Sequence, residues 1–166
     1  MTANYFAGKT AIITGGASGV GRSLAMALGA AGSNVVVGDV DKSAMEIIGK
    51  DLDAAGVPHR VDHCDVTQTS SLQAVLDSTL ETFGQVDFVF ANAGIGAGEA
   101  GPIWGYSEKD WQWCFNVNVW GVVNSINVFM ALTRSWGARS YSTYLPTKNP
   151  ISSVTFVAAA YLSAVF

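Results

Sequence analysis

Over the first 130 residues, short β-branched apolar runs alternate with stretches whose apolar residues recur at helical spacing. KTAIIT at 9–14 is the first run, and it ends in GGASGVG, the signal of a buried strand entering a glycine turn. From Gly19 to about Ala31 the chain is rich in helix formers and free of proline, and NVVVGD at 34–39 is strand-like again. Lys42–Ala55, closed by Gly56, and Ser70–Phe83, capped by Gly84, read as two further helices. Between them His59–Asp65 is a third strand, and VDFVFANAG at 86–94 supplies a fourth. After a glycine-rich loop at 94–105, Ser107 caps a long helix that carries Glu108 and Asp110 in its first turn. The apolar seam of that helix runs Trp111, Phe115, Val122, Ile126 and Phe129. Strands separated by helix-length segments pair in parallel, because each crossover returns the chain to the same edge of the sheet. The expected class is α/β.

The pattern breaks after about Met130. ALTRSWGARSYSTYLPTKNP shows neither helical nor strand periodicity, and ISSVTFVAAAYLSAVF reads as one buried strand or a stub of helix. All Asp and Glu residues lie at or before Asp110, whereas residues 131–166 hold Arg134, Arg139 and Lys148 and no acid. We therefore expect one domain whose tail is unlike the rest.

Composition narrows the function classes. Apolar residues make up 49% of the chain and charged residues 13%, which suits a sheet buried on both faces and argues against disorder. A formal charge of -4, with no basic run, makes nucleic acid a poor partner. Cys64 and Cys114 form no CxxC, and the N-terminus MTANYFAGKT has no apolar run, so a reducing, cytoplasmic setting is expected. The uncharged stretch 149–166 is broken by Asn149, Pro150, Ser152, Ser153 and Thr155 and makes a poor membrane span. No membrane partner is expected.

The loop Thr14-Gly15-Gly16-Ala17-Ser18-Gly19-Val20-Gly21 joins a strand to a helix. Glycines there allow a tight turn and close approach of a pyrophosphate, whose charge the helix N-terminus attracts. Asp39 closes the second strand, where a carboxylate accepts hydrogen bonds from an adenosine ribose and repels a 2′-phosphate. Neither Ser18 nor Val40 is a Lys or Arg, so the pattern favours NAD(H), with NADP(H) the lesser alternative. His59, Asp62, His63, Cys64 and Asp65 are metal-ligand types, but on a strand they alternate faces, and no metal site is expected. Trp104, Trp111, Trp113 and Trp120 are candidates for a cleft or a subunit interface, with Trp111 expected in the core.

Four motifs in order over residues 9–130 resemble the short-chain dehydrogenase/reductase family. TGGASGVG is similar to its cofactor loop, and CDVT at 64–67 to the strand end that contacts adenine. ANAG at 91–94 is similar to its NNAG motif, with Ala91 in place of the first Asn. NVNVWG at 116–121 is similar to its VNxxG stretch. The resemblance implies a Rossmann-type doubly wound parallel sheet, incomplete here at its C-terminal side. It implies cofactor contacts by Gly15, Ser18, Gly19, Val20, Gly21, Asp39, Asp65, Val66, Asn92, Ala93 and Gly94. It further implies a hydride exchanged between NAD(H) and a small alcohol or carbonyl substrate, and a homo-oligomer through the long helix 107–130.

The same resemblance asks for a Tyr as general acid/base and a Lys four residues on that lowers its pKa. An Asn, here Asn118, helps hold a proton-relay water against that Lys. Tyr144 and Lys148 have the required spacing, but the interval 118–144 contains no convincing strand, and Pro146 falls between them. The resemblance also asks for an upstream Ser that orients the carbonyl oxygen, and a second register places Ser152 and Ser153 there and Tyr161 as the acid/base, with Val165 where the Lys belongs. The expected organisation is a dinucleotide-binding domain over 1–130, continued by an aberrant or truncated 131–166 from a cut or frame-shifted reading of a longer gene. The alternative function is a catalytically inactive dinucleotide-binding remnant.

Overall fold

A computed structural model describes residues 5–96, 103–135 and 155–158. Its strands are β1 (Thr10–Thr14), β2 (Asn34–Asp39), β3 (His59–His63), β4 (Phe88–Ala91) and β5 (Thr155–Ala158). Its helices are α1 (Gly19–Ala30), α2 (Lys42–Ala54), α3 (Thr69–Phe83), α4 (Glu108–Phe115) and α5 (Gly121–Ser135), with a π-helical turn at Asn116–Trp120 between the last two. The sheet order is β3-β2-β1-β4-β5 and every neighbouring pair is parallel. The chain builds outward from β1 to β3, then returns to the other side of β1 with β4. Strand order thus reverses between β1 and β4, which opens a crevice at their carboxyl ends.

Strand alternation sorts the core into two layers. Ala11 and Ile13 of β1 and Val35 and Val37 of β2 face α1 and α2. Ile12, Val36 and Val89 face the opposite way, onto α3 and α5, where Phe129 is fully buried. Both faces are covered, which is why these strands read as continuous apolar runs.

The four early strands and three helices lie where the sequence pattern puts them, to within a few residues at their ends. The long helix differs. It is split by the π turn and runs on to Ser135, and of its expected seam only Phe129 is buried, while Phe115 and Ile126 are exposed. The side facing the sheet carries Cys114, Gly121, Ser125 and Val128 instead. Small residues mark it because the approach is close: a Cβ on Gly121 would stand 2.5 Å from Val66 Cγ2. The π turn also adds a residue to one turn, so regular helical spacing cannot be carried across it. Trp111, expected in the core, is half-buried and packs edge-on against Tyr106. Beyond Met130, β5 adds to the same sheet beside β4. Among the described residues no helix is long and apolar enough to cross a membrane.

Candidate functional site

The glycine turn is built from β1 outward. Gly15 N–H donates to the Gly38 carbonyl at 2.7 Å, which ties the turn to β2. Gly15 has φ +63, and a Cβ there would stand 2.6 Å from the Ala93 backbone, so the turn also lies flat against the end of β4. Thr14 is buried, and its hydroxyl accepts from the N–H groups of Asn92 and Ala93, each at 3.2 Å. The buried Asn92 amide returns the contact, donating to the carbonyls of Thr14 at 3.2 Å and Gly15 at 3.0 Å. A clamp of side-chain and backbone hydrogen bonds therefore fixes the two strand ends at the switch point.

Helix α1 starts from this turn with its end open. Ser18 has extended backbone and makes no side-chain cap, so it satisfies none of the free first-turn N–H groups of α1. At Gly19, φ +50, a Cβ would meet nothing within 4 Å, so the turn borders free space there. The Asp39 carboxylate stands at the neighbouring strand end. Its Oδ2 accepts from Ala17 N–H at 3.0 Å, while Oδ1 accepts from Val40 and Asp41 N–H at 2.8 and 3.1 Å.

Gly15, Ser18, Gly19, Val20, Asp39, Asp65, Val66, Asn92, Ala93 and Gly94 line one cleft of about 970 Å³. Gly21, expected in the same set, does not reach it. It is buried beneath the turn, where a Cβ would run into the Gly15 carbonyl oxygen and the Asn92 amide. Asp39 and Asp65 are the charged residues of the lining, and no Lys or Arg belongs to it among the described residues. Arg22, one turn into α1, is paired with Asp51 at 2.5 Å. Among the described residues, the attraction available to an anion here comes from the open helix end. A dinucleotide fits this arrangement: N–H donors and backbone space for its pyrophosphate, and a carboxylate for ribose hydroxyls.

Further along, Asp65 Oδ1 accepts from Thr67 N–H at 2.9 Å and Thr67 Oγ1 at 2.8 Å, which fixes the β3–α3 connection. Cys64 also borders the cleft. Burial first, then the charges of Asp65, Asp39 and Asp62, push its thiol up to about 12, so it stays protonated at neutral pH and is no nucleophile.

Asn118 sits in the π turn, and both its side-chain oxygen and its nitrogen are hydrogen-bonded. Its Oδ1 accepts from Ile95 N–H and its Nδ2 donates to the Ile95 carbonyl, both at 2.9 Å. The side chain thus staples the loop after β4 to the helix. Tyr144, Lys148 and the alternative Ser152, Ser153 and Tyr161 lie outside the described residues; in chain order Tyr144 and Lys148 precede β5.

The cleft has a wall that sequence reasoning assigned only in part. Trp113, Asn116, Val117, Trp120 and Asn124 form one side of α4, the π turn and α5, and all line it. The tryptophans were candidates for such a role, whereas nothing in the sequence distinguishes Asn116 and Asn124 from ordinary surface amides. Trp104, also a candidate, is 85% exposed and is not part of the lining.

Residues 9–138 match the family model described as short chain dehydrogenase. The chain is 33% identical over 135 residues to the fluoren-9-ol dehydrogenase of Terrabacter sp., covering 78% of this chain and 38% of that protein. It is 36% identical over 116 residues to the secoisolariciresinol dehydrogenase of Forsythia intermedia, covering 69% of this chain and 41% of that protein. A crystal structure of a short chain dehydrogenase/reductase from Burkholderia phymatum in complex with NAD superposes with a TM-score of 0.71 at 42% identity, over 76% of this chain and 44% of that one. The chain thus spans less than half the length of these relatives.

Proposed function

Since this chain belongs to the short chain dehydrogenase family, we propose that it holds NAD(H) in the cleft, as part of an oxidoreductase acting on a small alcohol or carbonyl compound. The observation that carries the reading is the open N-terminus of α1 beside Asp39 in a cleft lined by no cation among the described residues. Gly15, Ser18, Gly19 and Val20 take the pyrophosphate, and Gly21 holds the turn from beneath. Asp39 accepts from the adenosine ribose, and Asp65 and Val66 border the adenine. Asn92, Ala93 and Gly94 run along the other half of the dinucleotide. The bound nicotinamide supplies or accepts the hydride.

In this reading Tyr144 exchanges the proton of the substrate's oxygen, Lys148 lowers the phenol's pKa, and Asn118 keeps the loop at Ile95 in place. A second reading, a chain that holds the dinucleotide without turnover, is favoured by the chain order, because β5 follows Lys148 instead of preceding Tyr144. One assay separates the two: formation of NADH from NAD by the purified chain with a panel of secondary alcohols. Under the first reading Tyr144→Phe removes turnover and spares NADH affinity, while Lys148→Ala lowers both. A chain that binds NADH and turns over none of the alcohols belongs to the second.

A homo-oligomer is part of the proposal. Phe115, Val119 and Ile126 leave an exposed apolar stripe on the outer side of the helix, and residues 111–133 carry no charge. Two copies pairing along it bury that stripe without opposing like charges. Sedimentation equilibrium should show a dimer that Phe115→Glu dissociates; a monomer at every concentration contradicts the pairing. Cys64 and Cys114, both buried and free, suit a cytoplasmic setting.

A further inference from the structure

We infer that Trp120, with Trp113 two turns before it, is an aromatic wall that stacks the purine base of the dinucleotide and so sets how tightly the adenosine half is held. This rests on the NAD(H) reading above. Helix α5 meets the β3–α3 connection at two points. The backbone of Gly121 lies against the Val66 side chain, and Asn124 Nδ2 donates to the Val66 carbonyl at 3.0 Å. Trp120 immediately precedes Gly121, one turn before Asn124, and lines the same cleft as Asp65, Val66, Thr67 and Gln68.

Both indoles line the cleft, yet Trp113 is 51% and Trp120 55% exposed, so each leaves much of a large apolar ring in water. Neither stacks on another ring among the described residues, unlike Trp111, which has Tyr106 and Phe115 beside it. A planar base entering this end covers that surface. Because every base has a π-face and an indole presents a broad one, stacking adds affinity without consuming the polar groups opposite. Along the same wall Asn116 accepts from Gln112 and Asn124 donates to the Val66 carbonyl, and the Asp65 carboxylate is the charged group of the lining at this end.

The test uses AMP and nicotinamide mononucleotide as separate probes of the two halves, titrated calorimetrically into the chain and into the W120A, W120F and W104A variants. Because Trp120 is half exposed, W120A should fold, as circular dichroism will verify, and W120F keeps a ring in place as an independent check. W120A should weaken AMP about tenfold, in keeping with the worth of one base–aromatic stack. W120F should restore most of that loss, W104A should change nothing, and nicotinamide mononucleotide should bind all four alike. Equal AMP affinity in W120A and the unaltered chain overturns the wall, as does an equal loss for both probes, which would mark Trp120 as structural. If the unaltered chain binds NADH while either of those results holds, the wall alone falls. If it binds neither NADH nor AMP, the NAD(H) reading falls, and the wall with it.

Discussion

Replacing Gly21 by valine should abolish NADH binding and lower the stability of the whole domain, by about 1–3 kcal/mol or more for an overpacked site. Gly21 alone suggests only a glycine of the phosphate turn, whose loss would spare the fold. Its surroundings say otherwise. A Cβ at this position enters the space of the Gly15 carbonyl and the Asn92 side-chain amide, and that amide holds the turn to β4 through two hydrogen bonds. The substitution must therefore move the clamp at the switch point, leaving buried polar groups unpaired. Gly19→Ala is the informative contrast. Its φ of +50 costs an alanine about 1 kcal/mol, and its Cβ meets nothing in the protein, so the added methyl projects into open space. Thermal melts together with NADH titrations should thus separate the two glycines, Gly21→Val losing both stability and binding, Gly19→Ala losing mainly binding.

Asp39→Asn should collapse the preference for NADH over NADPH. A carboxylate facing a 2′-phosphate in a partly solvated cleft disfavours it by about 1–3 kcal/mol, roughly a tenfold to hundredfold difference in affinity. Among the described residues no cation of the lining offsets that repulsion, and Arg22 is committed to Asp51. Asparagine is the better substitution than alanine because Asp39 also accepts N–H groups from Ala17, Val40 and Asp41. Its amide oxygen keeps part of that set, so the glycine turn stays in place while the charge goes. NADPH affinity should rise towards that for NADH; an unchanged ratio would mean that Asp39 does not face the ribose.

Much of this was legible in the sequence, for identifiable reasons. β1 and β2 are buried on both faces, so they appear as unbroken apolar runs, and Gly84 closes α3 in the left-handed conformation that glycine favours. The carboxyl-edge residues were legible because a parallel sheet puts the ends of all its strands together: Gly15, Asp39, Asp65 and Asn92 are far apart in the chain and line one cleft. The α4–α5 region was misread, because large apolar side chains drew the seam to Phe115 and Ile126 while the contact surface is made by Gly121 and Ser125. Small residues carry no hydrophobic signal, and a π turn has no sequence signature that spacing arguments detect. Gly21 was assigned to the cleft because its motif is read as a unit, although the turn places it one layer below. The engagement of Asn118 with Ile95 depends on a loop folding back over the helix, and no periodicity encodes that contact.

The central claim is that the open end of α1 and the Asp39 carboxylate together make a site for a dinucleotide lacking a third phosphate. Calorimetric titration of the folded chain with NADH and then NADPH tests it most directly. The account predicts a single site per chain that takes NADH at least tenfold more tightly than NADPH. A folded chain that binds neither, or binds both equally well, would contradict it.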